Sequence, residues 1–371
     1  MSGAGDGAAP RAFREGAAGR RRALVDLHCH PSASFDSLSD PVALARAAAA
    51  RGVTHLAMEA SSLGIDQRRL DGVQDSLKKF PGIKVVETSP ADFGKLRAMV
   101  ESGNVEWDVT EIGGQDAIRA TKMNLVEKID DKIVDRSKYP EKVRTPYVFA
   151  SSVYTTIIGY RTDVFKGGTQ PKSWADWWDV KKFPGARSMR NHPTDNLEFA
   201  LIADGVPMDK IYPIDFDRAF KKLDQIKPHI SVWWTTGQQP AQLLLDKEVV
   251  LATGWNGRFY DLIKKGGPVE IEWNEGALKQ GSFVIPRGAK NAYWGQKMLA
   301  EMSVPQQQAI YASELGYPGL NLESLNYVDA KVKPYLPTQY IDKQFWIDDN
   351  WYAENGNKAI ELWNAWLLKK G

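Results

Sequence analysis

The residues nearest the N-terminus with chemical potential are Asp26, His28 and His30, in the run Asp26-Leu27-His28-Cys29-His30. A His-x-His pair at the end of an extended strand places both imidazoles on one face, as two metal ligands need. The other three histidines, His55, His192 and His229, do not supply a second such pair. Nucleophilic catalysis has less support. Gly-x-Ser-x-Gly is absent, and the only thiol, Cys29, sits in this same unusual N-terminal region. No G-x-x-x-x-G-K-[ST] loop is present to cradle a nucleotide's phosphates.

Farther along, the signals favour binding over turnover. Trp233-Trp234-Thr235-Thr236-Gly237-Gln238 closes one expected strand, and Trp255-Asn256-Gly257-Arg258 closes another. In open α/β sheets ligands bind beyond the carboxyl ends of strands. Aromatic faces there hold an alkyl chain or a cation, while Thr, Asn and Gln give directed hydrogen bonds. Strand alternation sends one of Trp233 and Trp234 into the core, so at most one of them meets a ligand. Thirteen tryptophans in 371 residues fit a protein that grips a solute, or equally a large aromatic core.

The elements that must position these residues alternate along the chain. The apolar alternation of 23–29 and of 53–60 suits strands. Asp40-Pro41 opens an Ala-rich helix over 42–52 that a glycine stops. Residues 65–80 form an amphipathic pattern ended by Pro81-Gly82, and 83–89 a strand. Helices are expected at 90–103, 115–124, 197–205, 216–228, 240–248, 291–303, 305–321 and 358–370, with a Ser-capped one from 173. Strands are expected at 105–113, 145–161, 230–237, 249–256 and 281–288. The early β-α-β-α-β order favours a parallel sheet with right-handed crossovers, and the fold class is α/β.

Composition narrows the function classes. A formal net charge of +2 gives no support to nucleic-acid or anionic-membrane binding. One cysteine precludes an internal disulfide framework and a Cys-rich zinc module. No apolar run reaches the length of a transmembrane helix. Residues 1–22 carry positive charge without an apolar stretch behind it, so no secretory signal is expected there. The chain also has a seam: residues 1–77 contain nine Arg and no Lys, whereas Lys outnumbers Arg 29 to 10 thereafter. A shift that sharp marks a segment of separate origin.

Two short N-terminal stretches resemble other families. VDLHCHPSASFDSLSDPVALARAAAARGVTHLA is similar to the opening of the PHP metallo-phosphoesterases, which implies Asp26, His28 and His30 as weak metal-ligand candidates. MEASSLGIDQRRLDGV resembles a stretch of the Mur ligases, with Leu63 where those enzymes carry a histidine.

Residues from about 80 to 371 resemble the extracellular solute-binding proteins of ABC transporters, of the spermidine/putrescine class. The resemblance is carried in order by GIKVVETSPADFGKLRAMVESGNVEWDV, TTIIGYRTDVF, PKSWADWWDVKKFPGARSM, LATGWNGRFYDLI, GSFVIPRGAKN and ELGYPGLN. It implies a two-lobed, type II periplasmic-binding-protein-like fold that closes on a small amino-bearing or cationic solute. It implies no enzymatic turnover and no cofactor, a monomer, a permease and ATPase complex as partner, no nucleic acid, and a periplasmic location. The expected division is 1–52 as an atypical appendage, 53–155 with 281–316 as one lobe, and 156–280 with 317–371 as the other.

By the same resemblance Trp255 stacks on the ligand, Tyr317 hydrogen-bonds it, and Thr236 or Gly237 supplies a small polar contact. Asp195 and Glu198 offer carboxylates to an ammonium, since a buried ammonium must be paired. Gln115 follows a Gly-Gly turn facing the cleft. Trp234, Asn256 and Arg258 complete the strand-end candidates, and Ser62 and Asp66 stand where a ligand-touching turn belongs. Two departures bear on specificity. Gly281 stands where polyamine-selective members carry an Asp, and Arg258 brings a cation near Trp255, which suits a ligand bearing a carboxylate as well as an amine. The competing readings are a metal-dependent phosphoesterase through Asp26, His28 and His30, and a fusion whose N-terminal arm disables the receptor.

Overall fold

The computed structural model describes residues 21–24, 53–57 and 92–369. Ser62, Asp66, Asp26, His28 and His30 lie outside these residues. Two short strands, β1 (Arg21–Leu24) and β2 (Val53–Ala57), pair in parallel in a sheet of their own. The boundary expected between 52 and 53 therefore falls between two strands that pair with each other, and β2 is not part of the larger sheet.

That larger sheet holds β3 (Thr110–Ile112), β4 (Phe149–Arg161), β5 (Arg187–Arg190), β6 (Ile230–Trp234), β7 (Leu251–Trp255), β8 (Val269–Val284) and β9 (Phe345–Trp346). Its order is β3-β8-β4-β7-β5-β6, with β9 beside β8. The β5–β6 and β5–β7 pairs are parallel, as the alternating pattern suggests. The pairs made by β4 with β7 and β8, and by β3 with β8, are antiparallel. The parallel sheet expected of the early series is met where that series is described, by β1 and β2; β8 and β9 also pair in parallel, so the larger sheet is mixed.

The reason lies in β4 and β8, which run antiparallel from Phe149↔Phe283 to Arg161↔Val269. At one end β4 gives Phe149 and Val153 to a core with Phe283, Leu299 and Met298; at the other it gives Ile158 and Tyr160 to a second core around Trp174, Trp177, Phe199 and Trp363. Two strands shared by two cores make the fold two-lobed. Their pairing shifts register between Ala150 and Val153 and again between Thr156 and Ile158. Such shifts bend and twist a strand and free backbone groups from the ladder.

The helices are α1 (Phe93–Ser102), α2 (Gly114–Lys122), α3 (Trp174–Trp178), α4 (Pro193–Ala203), α5 (Phe216–Ile226), α6 (Gln239–Leu245), α7 (Asn256–Lys264), α8 (Ala292–Met302), α9 (Pro305–Leu315) and α10 (Asp349–Leu368). Local chemistry sets many of their ends. Asp92, Ser173 and Asp215 accept the N–H of the third residue into α1, α3 and α5 (2.7, 3.0 and 3.0 Å). Gly103 and Gly316 end α1 and α9 in the left-handed region. Helix α5 buries Ala219, Leu223 and Ile226, a stripe at helical spacing. Helix α4 is buried on all sides, with Trp174 stacked on its Phe199 at 3.6 Å between centroids.

Helix α10 begins nine residues before the sequence pattern suggests. Residues 349–357 are polar, but Asp348 caps the helix by accepting the Trp351 N–H at 3.0 Å. The helix packs its Tyr352, Ala359, Trp363 and Trp366 into the second core. It also reaches α2, where the Gln115 N–H meets the Asp349 carboxylate and Lys122 pairs with Glu354 at 3.1 Å. No helix among the described residues is long and apolar enough to cross a membrane.

Candidate ligand-binding site

Where β4 runs past the end of its pairing with β7, its backbone finds other partners, as buried N–H groups must. The Val153 N–H donates to the Pro318 carbonyl (2.8 Å), and Ser152 bridges to Gly319. The Thr155 N–H donates to Asn256 Oδ1 (3.1 Å), while Asn256 Nδ2 donates to the Gly316 carbonyl (2.7 Å). These bonds draw the Gly316-Tyr317-Pro318 turn over the middle of β4. A cavity of about 230 Å³ opens there.

Its walls come from both ends of the sheet. Glu111, Ile112 and Gly113 contribute from β3 and the start of α2, and Ser152 and Tyr154 from β4. Gln280 and Gly281 contribute from β8, Arg190 and Trp255 from the ends of β5 and β7. Tyr311 of α9 and Tyr317 complete it. The rings brace one another: Tyr154 lies 6.2 Å from Trp255 and 5.9 Å from Tyr317, both edge-on. Trp255 rests edge-on against the fully buried Trp234 at 5.8 Å. Gly237 makes room for it, since a Cβ there would come within 2.4 Å of the Trp255 ring.

Two ionisable groups face this aromatic chamber. The Arg190 guanidinium lies 5.7 Å from the Trp255 ring and 5.8 Å from the Trp234 ring, distances at which a cation is attracted by the ring faces. Glu111 approaches from the opposite side of the sheet order. Burial without a compensating cation pushes its carboxyl up to about 8. A Cβ at Gly281 would lie 2.8 Å from Glu111 Oε1 and 2.6 Å from Ser151 Oγ. The space that a side chain at 281 would fill is therefore taken by the Glu111 carboxyl.

Behind Tyr154 sits a buried ion cluster. Asp195 is fully buried, with φ of 80° at the start of α4. Lys279 Nζ donates to its two oxygens at 2.6 and 2.8 Å, and Thr156 Oγ1 donates at 2.9 Å. Arg190 Nη1 stands 3.6 Å from the same carboxylate. These partners outweigh burial and hold Asp195 below the usual carboxylate range. Glu198 lies deeper, accepting hydrogen bonds from Tyr212 (2.7 Å) and Tyr352 (2.8 Å). Burial pushes Glu198 up to about 7 despite them.

Of the residues singled out in the sequence, Trp255 and Tyr317 line the cavity, and Gly281 lies at its wall. Asp195 sits one step behind, on Lys279. Glu198, Trp234 and Asn256 are buried and spent on internal hydrogen bonds; Trp234 Nε1 donates to Thr253 at 3.2 Å. Arg258 is 8% exposed and faces Tyr317, Tyr311 and Asp261, not the cavity. Thr236 is exposed, its N–H donated to Gln239 Oε1 at 3.0 Å. Gln115 points to α10, its Oε1 near Gly356. The sequence reading missed Glu111 and Arg190. Glu111 had a signal: it is the last acid of the expected strand, just before the Gly113-Gly114 turn. Arg190 had none, because β5 itself was not recognised.

A two-lobed α/β fold with an aromatic, charge-bearing chamber beside its crossover strands defines a solute-binding receptor. Residues 74–338 match the family of bacterial extracellular solute-binding proteins, and the chain belongs to that family. It is 31% identical over 292 residues to a gamma-aminobutyric acid-binding protein of Pseudomonas aeruginosa, covering 75% of this chain and 80% of that one. It is 24% identical over 274 residues to the spermidine/putrescine-binding periplasmic protein of Escherichia coli, covering 70% and 77%. Among solved structures a GABA receptor aligns with a TM-score of 0.76 at 37% identity, over 85% of this chain and 98% of that one. The N-terminal likenesses to phosphoesterases and Mur ligases gain no support from these matches. Among the described residues no group of three or more His, Cys, Asp or Glu is placed to hold a metal.

Proposed function

We propose that the protein is the solute receptor of an ABC importer and that its solute is a small zwitterion, an ω-amino acid such as gamma-aminobutyrate. The observation that carries this reading is the presence of one cation, Arg190, and one titratable carboxyl, Glu111, on the walls of a single aromatic-lined cavity. Arg190 offers a planar fork of donors to a carboxylate. Glu111 offers charge to an ammonium, which in turn returns it to the ionised form. Tyr154, Trp255 and Tyr317 enclose the methylenes between. A cavity of about 230 Å³ is smaller than the roughly 300–1,000 Å³ of sites for drug-sized ligands. The names of two relatives, a gamma-aminobutyric acid-binding protein and a GABA receptor, support the same class. A polyamine fits less well, since Arg190 repels a second ammonium at the end of the chamber where Trp255 stands.

In this reading the lobes divide within β4 and β8. Among the described residues, 92–155 with 281–316 form one jaw and 156–280 with 317–369 the other. The solute binds the closed state better than the open one, and that difference drives closure. Calorimetry with gamma-aminobutyrate, its longer and shorter homologues, an α-amino acid, putrescine and spermidine tests the proposal. The ω-amino acids bind and release no product. Saturation at 100 times Kd raises stability by about 2.7 kcal/mol. Tight polyamine binding with no response to any ω-amino acid would overturn it.

A further inference from the structure

We infer that Lys279 is the specificity residue of this pocket: its ammonium holds, from within the chain, the carboxylate that would otherwise pair with a second positive charge on the ligand. The inference deepens the zwitterion reading and rests on it for the ligand's first charge only.

Three observations carry it. Lys279 and Tyr154 are direct partners across the β8–β4 pair, so their side chains share a face of the sheet. Tyr154 lines the cavity, and Lys279 Nζ lies over its ring, 5.5 Å from the centroid. The lysine chain therefore runs along the wall behind the chamber. At its tip Asp195 is fully buried and takes both of its oxygens to the Lys279 ammonium, at 2.6 and 2.8 Å. Without that ammonium the carboxylate keeps Thr156 and, at 3.6 Å, Arg190. A buried carboxylate short of a partner draws a cation strongly.

A lysine side chain is an alkylammonium tethered at one end. Removing it leaves a channel of that length and bore, beside Tyr154, ending on an ionised acid. A diammonium ligand then places one charge at Glu111 and the other on Asp195. Arg190 does not forbid this, because it already shares Asp195 with the lysine ammonium. In the native protein the channel is filled and its charge satisfied, so only the first charge of a ligand is bound and a longer dication is shut out.

The test is the Lys279→Ala variant with 1,4-diaminobutane, measured by calorimetry beside the native protein. The diamine binds the variant at least tenfold more tightly than it binds the native chain. Propylammonium raises the melting temperature of the variant and leaves that of the native chain unchanged, whereas propanol moves neither. Lys279→Met with Asp195→Asn keeps the channel filled and uncharged, and gains nothing. Should the alanine variant not fold, Lys279→Ser carries the same comparison, because its short neutral side chain also empties the channel and leaves Asp195 without the ammonium. An unchanged diamine affinity in the folded variant overturns the assignment. Failure of the native chain to bind any ω-amino acid would instead count against the zwitterion reading, since the diamine gain is read between variant and native protein.

Discussion

Glu111 makes ligand binding a proton-coupled event. With the site empty, burial holds its carboxyl at about 8, so at pH 6.5 it is almost wholly protonated. A ligand ammonium beside it favours the ionised form, and the proton must leave on binding. The ligand's own amine and carboxyl titrate well outside the window from pH 6 to 8. Apparent affinity then rises with pH up to about 8 and falls below it, by as much as about tenfold, or ~1.4 kcal/mol, for each pH unit. Between pH 8, where half of the carboxyls are ionised, and pH 6 the loss is roughly 50-fold. Calorimetry at pH 6.5 in two buffers of different ionisation enthalpy counts the proton directly, with about one released per ligand. Glu111→Gln abolishes both the slope and the release, which separates Glu111 from Asp349 and Glu198, neither of which lines the cavity. A flat affinity profile from pH 6 to 8 in the native protein, or a proton count near zero, would refute the reasoning.

Arg190→Gln removes the cation proposed for the ligand carboxylate and costs about 2–5 kcal/mol of binding, while the Lys279–Asp195 pair persists; unchanged affinity by calorimetry would place the carboxylate elsewhere. Asn256→Ala orphans the Thr155 N–H and the Gly316 carbonyl, and chemical denaturation should show a loss of about 1–3 kcal/mol, with weaker binding because Tyr317 is no longer held. Glu198 has its folded value at about 7 against an ordinary 4.5. The folded state holds that proton more tightly, so the contribution is complete below pH 4.5 and disappears as pH rises through about 7. The difference is on the order of 3 kcal/mol, and urea titrations of Glu198→Gln across this range should lack it.

Much of the fold was legible in the sequence because periodicity and capping are local. The apolar stripe of α5 needs no tertiary knowledge, whereas the helix expected over 305–321 stops at Leu315, where Gly316 turns left-handed. Strand β8 was legible only in its last four residues, 281–284. The alternation of Val269, Ile271 and Trp273 with Glu270, Glu272 and Asn274 is a strand pattern, but Gly276 and the positive φ of Glu275 interrupt it. The mixed character of the larger sheet has a global reason: β4 and β8 serve two cores at once, which nothing local encodes. The site was half legible. Trp255 and Tyr317 announce themselves as aromatics at element ends. Asp195 was found, but its partner Lys279 lies 84 residues away, in the stretch of β8 before 281 that went unread. Glu111 and Gly281 explain each other only in space, one filling the volume the other leaves empty.

On the proposed division into two jaws, the contact between α10 and α2 bears on how they come to rest. Helix α10 is rooted in the second core, yet its first turn sets a carboxylate against the opening N–H groups of α2, and Glu354 grasps Lys122 two turns on. Gly114 permits this closeness, since a methyl there would collide with Asp349. Any gape between the halves must slide or part this seam. The seam therefore works as a doorstop whose grip loosens with salt, and the empty receptor's resting angle should widen as ionic strength climbs.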